Sequence, residues 1–322
     1  MKSPLRGYVE GHSSYIGVVI SSIMTCSPAT VDSASLAVVN ARRRRPPSLG
    51  LWDVEEPHAT RVAVTLLLIY CAVLGLAVGS FLNVVIYRVP RRLSIARPRS
   101  ACPTCATPIA NRDNIPLISW IILGGKCRQC RSHISVRYPL VELATAVLFV
   151  LTAWRIGAHL DLIAFLIFVA SLLALALIDL ELLVLPRSIV YPALIGVGAM
   201  LLVAATADHQ WRRLFVAALC SLAWFALFFV INLVSPRSLG FGDVRLAPLL
   251  GLALGWLGVG EVILGFFAAN VVGAVIGVGL IATKRIRRDQ PVPYGVFLAV
   301  GAVLTVLIGP MLLGHWHHWP SG

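Results

Sequence analysis

Two aspartates stand where an apolar chain has least reason to keep them. Asp179 closes the run LALALID at 173–179, and Asp243 follows two glycines in GFGDVRLAPLLG at 240–251. A charge near membrane depth is costly, so each acid is a functional candidate by default. Two carboxylates held together cannot both ionise easily, and the pair shares a proton. One can then take a proton from water while the other gives one to a peptide carbonyl, which is acid–base hydrolysis. Gly240 and Gly242 suit such a site. They permit backbone angles closed to other residues and let a substrate strand come close. Asp243 also lies near a helix start, where the macrodipole favours its charged form. Plainer roles exist for each acid alone: a helix cap for Asp243, a charge marking the end of a span for Asp179. The GFGD stretch is not a phosphate loop, because it lacks the preceding strand and the GK[ST] ending.

A second set of reactive residues lies at 102–130, CPTCATPIANRDNIPLISWIILGGKCRQC. Two C-x2-C turns are separated by 21 residues. Each turn points two thiolates at one centre, and two turns close a tetrahedral shell. Cys102, Cys105, Cys127 and Cys130 are therefore expected to bind zinc. With four protein ligands no position is left for water, so the metal would be structural. Neighbouring arginines and Lys126 favour the thiolate form. Idle thiols and redox chemistry are the rival readings. His133, close by, could compete as a ligand but reads better as a loop histidine.

These residues need elements to hold them. The chain has 322 residues, 58% hydrophobic and 13% charged. The apolar excess comes in blocks at 62–87, 139–156, 161–179, 188–206, 213–234, 246–259, 261–282 and 293–314. Blocks of this length cross a bilayer as helices. The expected fold is an all-α polytopic membrane protein of about eight transmembrane helices with a cytoplasmic, zinc-binding four-cysteine loop. Residues 88–138 carry ten basic residues against Asp113 alone, and 284–289 add four more against Asp289. Both loops adjoin spans, so the net charge of +13 reflects the positive-inside rule and not a nucleic-acid partner. Both loops are then cytoplasmic. Alternation puts Asp179 and Asp243 at the cytoplasmic ends of their spans, with Glu261 opposite. Glu142 is at the cytoplasmic edge, where it fits a loop-anchoring role. The run Arg42–Arg45 falls on the wrong side under this topology, and the two internal loops outvote it. Gly-xxx-Gly spacings at 75/79, 251/255 and 273/277 would let helix backbones approach closely in lipid.

Taken together, these motifs resemble the type IV prepilin peptidases, which are GxGD-type intramembrane aspartic proteases. The likeness includes GSFLNVVIYRVP at 79–90, the cysteine quartet, DNIPLISW at 113–120, ISVRYPLVE at 134–142, Asp179 with Pro186 seven residues on, and GFGDVR at 240–245. It runs from about residue 75 to 300, and residues 1–60 take no part in it. The resemblance implies that Asp179 and Asp243 are the catalytic pair, supported by Gly240, Gly242 and Arg245. It implies cleavage of the basic leader of type IV prepilins or pseudopilins at the cytoplasmic face of the bacterial plasma membrane. It also implies N-methylation of the new N-terminus from S-adenosylmethionine, linked to the region of the cysteine loop. The sequence holds no nucleotide-binding glycine fingerprint, so no residue is assigned to the methyl donor. Three positions depart from the family pattern: Arg245 where lysine is usual, Val296 where proline is common, and Arg187 where a second aspartate often follows Pro186.

The expected division is a disordered extension over 1–60, a first span with the cysteine loop over 61–157, a peptidase domain over 158–315, and a tail over 316–322. The rival function is a proton-coupled transporter using Asp179 and Asp243 as a relay. Against it, both acids sit near one face, whereas transporter sites lie near the midplane.

Overall fold

The computed structural model describes residues 58–235, 239–283 and 292–314. The expectations for residues 1–57, the basic segment 284–289 and the tail lie outside these residues. Among the described residues there is no strand, only two isolated bridges. The helices are α1 His58–Arg88, α2 Ile118–Ile122, α3 Arg137–Ile156, α4 Asp161–Leu182, α5 Arg187–Ala207, α6 Trp211–Val234, α7 Phe241–Leu257, α8 Val259–Ala282 and α9 Tyr294–Leu312. Eight of these are long, one for each apolar block. Six, α1, α3, α4, α5, α6 and α8, are long and apolar enough to cross a membrane, and α9 contributes a shorter apolar stretch. The chain is a multi-pass membrane protein.

The eighth long helix, α7, has only 17 residues. At 1.5 Å per residue it spans about 25 Å, short of a hydrocarbon core of about 30 Å. Its shortness is explained by its surroundings. Val244, Leu246, Ala247 and Leu249 are fully buried, so protein and not lipid covers most of it. Helix α4 is the other enclosed element, with 61% of its apolar window buried against 17% for α1. The two acids therefore ride on the two innermost helices. Trp256 donates from Nε1 to Asp161 Oδ2 at 3.0 Å, fixing the end of α7 against the start of α4. The pair runs antiparallel, which brings the end of α4 to the start of α7.

Small residues set the remaining contacts. A Cβ on Gly75 or Gly79 would come within 2.6 Å of the backbone of Ala146 or Glu142, so α1 and α3 touch backbone to backbone. Gly251 and Gly255 face Cys220 of α6 at 2.6 and 2.7 Å in the same sense. The third spacing is only half used. Gly273 packs under the Phe297 ring, and Gly277 faces open space.

Between α1 and α3 the chain turns back at once. Arg88 donates to the carbonyls of Ser94, Ile95 and Pro98, closing a tight turn at the end of α1. The segment that follows carries the cysteines.

Candidate active site

Asp179 lies one turn from the end of α4 and Asp243 in the first turn of α7. Both are buried, at 5% and 7% exposure, and their charges act on one another. The structure thus brings the two sequence-predicted acids together. Helix α4 stops because Leu183 takes a left-handed conformation, φ 54, with its N–H bonded to the Asp179 carbonyl. This leaves the Asp179 carboxyl at the rim of the helix. Asp243 occupies the third position of α7, and its N–H donates to the carbonyl of Gly240, the residue before the helix, at 3.0 Å. Gly240, not Asp243, is the N-cap residue of α7, and no side-chain cap bond closes the helix start.

One of the two expectations for the glycines, the special backbone angle, is not met. Gly240 is extended, φ −67 and ψ 144, and Gly242 is helical; neither has the positive φ that only glycine adopts freely. What they supply is space. A Cβ on Gly242 would come within 3.1 Å of Leu185 Cβ, while one on Gly240 would make an ordinary 3.4 Å contact with Asp243 Oδ2.

Two residues that sequence reasoning passed over complete the site. Gly295, at the start of α9, lies so close that a Cβ would stand 2.8 Å from Asp179 Oδ2 and 3.1 Å from Leu185 Cδ1. The amides of Gly295 and Val296 face the Asp179 carboxyl, but none reaches Oδ2 with ordinary hydrogen-bond geometry. That oxygen is buried and unpartnered. Leu185 is the wedge shared by Gly242 and Gly295. Tyr294, next to Gly295, donates its hydroxyl to Asn270 Oδ1 of α8 at 3.4 Å. The PYG triplet at 293–295 was the available signal, since an aromatic and a glycine at a helix start suit a close approach.

Arg245 lies over the Phe241 ring, 4.7 Å from its centroid. A guanidinium stacks flat on an aromatic face in a way an ammonium does not. Glu261 is buried at the other end of the bundle, as the topology required, where its charge meets Arg155.

The cysteine turns lie on the same end as the acid pair. Arg137, first residue of α3, forms an ion pair with Glu181, two residues beyond Asp179. Each turn has the same build. Ala106 and Arg131, one residue past the second cysteine, have φ of 56 and 58. Bridges Ala101–Pro108 and Lys126–His133 close the two turns at matching offsets. The four sulfurs lie within 4.8 Å of one another, and Cys102 and Cys130 are 3.7 Å apart. Tetrahedral bonds of about 2.3 Å need sulfur separations of about 3.8 Å, so the cluster fits a tetrahedral metal ion. The Cys102 thiol is pulled down to about 5, first by the backbone N–H of Cys105 and then by the Ser132 hydroxyl. His133 is exposed and stands outside the cluster.

The segment between the turns is pinned at two points. Arg128 grips Asp113 through Nε and Nη2 at 2.6–3.1 Å, and this holds the Asp113 carboxyl below its usual range. Glu142 Oε2 accepts the N–H of Leu117 at 2.7 Å, so Glu142 does anchor the loop.

Comparison with known proteins places these features in a family. A model described as the bacterial peptidase A24 N-terminal domain matches residues 73–156, and one described as the type IV leader peptidase family matches residues 166–278. A Stutzerimonas stutzeri protein named prepilin leader peptidase/N-methyltransferase is 36% identical over 272 residues, covering 76% of this chain and 92% of its own length. A relative of the same name from Myxococcus xanthus is 43% identical over 219 residues, covering 67% and 64%. Another from Bacillus subtilis is 32% identical over 244 residues, covering 76% and 95%. No solved structure matches the chain.

Proposed function

The chain belongs to the type IV leader peptidase family, and on that premise we propose that Asp179 and Asp243 are the catalytic dyad of a prepilin leader peptidase. The chain is a membrane peptidase and N-methyltransferase of that family. Its substrates are type IV prepilins or pseudopilins, and its membrane is the bacterial inner membrane, with the acid pair on the cytoplasmic side. The ten basic residues between 88 and 138, on the acid-pair end, support that orientation.

The observation that supports the assignment is two buried carboxylates, close enough to act on one another, from two largely enclosed helices. In such a pair the ionised member takes a proton from water as its oxygen attacks the scissile carbonyl. The protonated member gives its proton to the carbonyl oxygen. Collapse of the tetrahedral adduct breaks the C–N bond, and the proton first taken from water goes to the leaving amine. The glycines at 242 and 295 let Leu185 and the Asp179 carboxyl pack close against the starts of α7 and α9. The transporter alternative finds no support among the relatives described above.

The proposed division of labour is supported by the chain's separate matches over residues 73–156 and 166–278. Residues 61–157 hold the first span and the cysteine loop and carry the methyl-transfer role. Residues 158–315 are the peptidase. The Arg137–Glu181 ion pair joins the root of the first to the acid pair of the second, close to where a new N-terminus would be released. The metal is zinc, held by Cys102, Cys105, Cys127 and Cys130 in a structural site. S-adenosylmethionine supplies the methyl group; no described residue is assigned to it.

The test is to express the chain with a prepilin and follow leader mass by mass spectrometry. Wild type removes the leader and adds one methyl group. Asp179→Ala and Asp243→Ala leave the prepilin intact, and leader removal by either variant would refute the dyad.

A further inference from the structure

The short helix α2 has an apolar face that the described chain leaves uncovered. Ile115, Ile118, Ile121 and Ile122 are 47%, 52%, 62% and 73% exposed. Four exposed isoleucines within eight residues of a basic loop form a patch that marks an interaction surface.

Its depth identifies what covers it. Leu117, just before α2, donates to Glu142, and Glu142 lies five residues beyond the start of α3. Five residues of helix rise about 8 Å. The start of α2 is therefore held alongside the span and not out beyond its end. Leu117 reaches this bond with φ 60, a conformation uncommon for a residue with a side chain. On α3 at the same level, Leu140 and Leu143 are exposed, as lipid-facing residues of a span are. The other side of α2 is occupied. Trp120 donates from Nε1 to the Ile134 carbonyl at 3.2 Å and packs on Gly125, and Ser119 is buried, its hydroxyl bonded to the Arg112 carbonyl. The isoleucines are left to face outward. Charge agrees with a lipid surface. Arg112 and Lys126, both exposed, bracket α2, and Asp113, the one acid between residues 88 and 138, is already held by Arg128. Apolar side chains flanked by cations suit the boundary between acyl chains and anionic headgroups.

We propose that α2 is an interfacial helix. Its isoleucines sit in the acyl–headgroup boundary of the leaflet on the acid-pair side, with Arg112 and Lys126 at the lipid phosphates. The apolar belt of α3 continues into it, and the cysteine turns are thereby tethered to the membrane surface. The inference rests on the membrane spans and not on the assignment of the dyad.

The test places the photo-crosslinking residue p-benzoylphenylalanine at Ile121 or Ile122, one at a time, in the full chain in vesicles of phosphatidylglycerol and phosphatidylethanolamine without prepilin. Ile69, exposed on α1, is the lipid-facing reference, and Thr104, exposed in the first cysteine turn, the aqueous one. Lipid adducts at both positions should match Ile69 and exceed Thr104 by at least about fivefold. Yields at the Thr104 level overturn the proposal, as do adducts to a second copy or to another part of the same chain. Thermal unfolding of each variant in detergent, against the unmodified chain, reports its folding. Should both variants fold poorly, hydrogen exchange of the unmodified chain decides. Amides 119–125 then exchange more slowly in anionic than in neutral vesicles, and equal rates overturn the proposal.

Discussion

Leu185 carries no charge, yet it packs against two of the glycines beside the acid pair. It packs on Gly242 and Gly295, and Asp179 Oδ2 stands beside it on the same side of Gly295. Substitutions at the three nearby glycines should therefore rank by distance. Gly240→Ala makes an ordinary contact at 3.4 Å and keeps most activity. Gly242→Ala pushes on Leu185 at 3.1 Å and loses more. Gly295→Ala puts a methyl 2.8 Å from the Asp179 carboxylate and loses roughly 100-fold, the cost of displacing a reacting group by a fraction of its reach. Initial rates of leader removal check the order, and a Gly240→Ala defect larger than that of Gly295→Ala would contradict it. The acids and the cysteines were legible because charge at membrane depth and paired C-x2-C turns are rare without a purpose. Leu185 and Gly295 were not legible. They are ordinary residues in apolar segments, and their value arises only where segments some 110 residues apart in the chain pack together. Of the two reasons offered for Gly240 and Gly242, the special backbone angle does not hold, since neither has a positive φ.

At the scale of elements, lipid makes the sequence easy to read. A spanning helix must satisfy its own backbone and present about 20 apolar residues, so block length nearly dictates helix position. The eight blocks all became helices, with ends shifted by a few residues toward capping and charged positions. Helix α7 is the informative case: its short block reflects enclosure by protein, and enclosure is also why it can carry an acid. Glycine spacing was less decisive, because sequence cannot say which faces meet. Gly79→Ala would drive a methyl to 2.6 Å from the Glu142 backbone and should cost about 1–3 kcal/mol through overpacking. Gly277→Ala meets nothing within 4 Å and should leave stability unchanged or raise it by about 0.4–1 kcal/mol. Thermal unfolding in one detergent compares the two. Equal effects would show that the α1–α3 contact is looser than the structure has it.

For the whole molecule, the site and the cysteine loop form one end of a bundle, joined by Arg137–Glu181 and Glu142–Leu117. The metal should hold that end in shape without touching peptide. Purified protein is expected to hold about one zinc per chain, as a filled four-thiolate site requires. Cys102→Ser with Cys127→Ser should release it, speed hydrogen exchange across 101–133 and reduce N-methylation more than leader removal. Equal loss of both activities would contradict the division of labour between the two regions. The central claim is that the two aspartates work as one unit, and the direct measurement is the rate of leader removal in a double-mutant cycle. Asp179→Asn and Asp243→Asn should each lower kcat by roughly 1,000-fold or more, and the double variant should fall no further, because groups that act as a unit are non-additive. Losses that multiply in the double variant, or cleavage near the wild-type rate in either single one, would contradict the account.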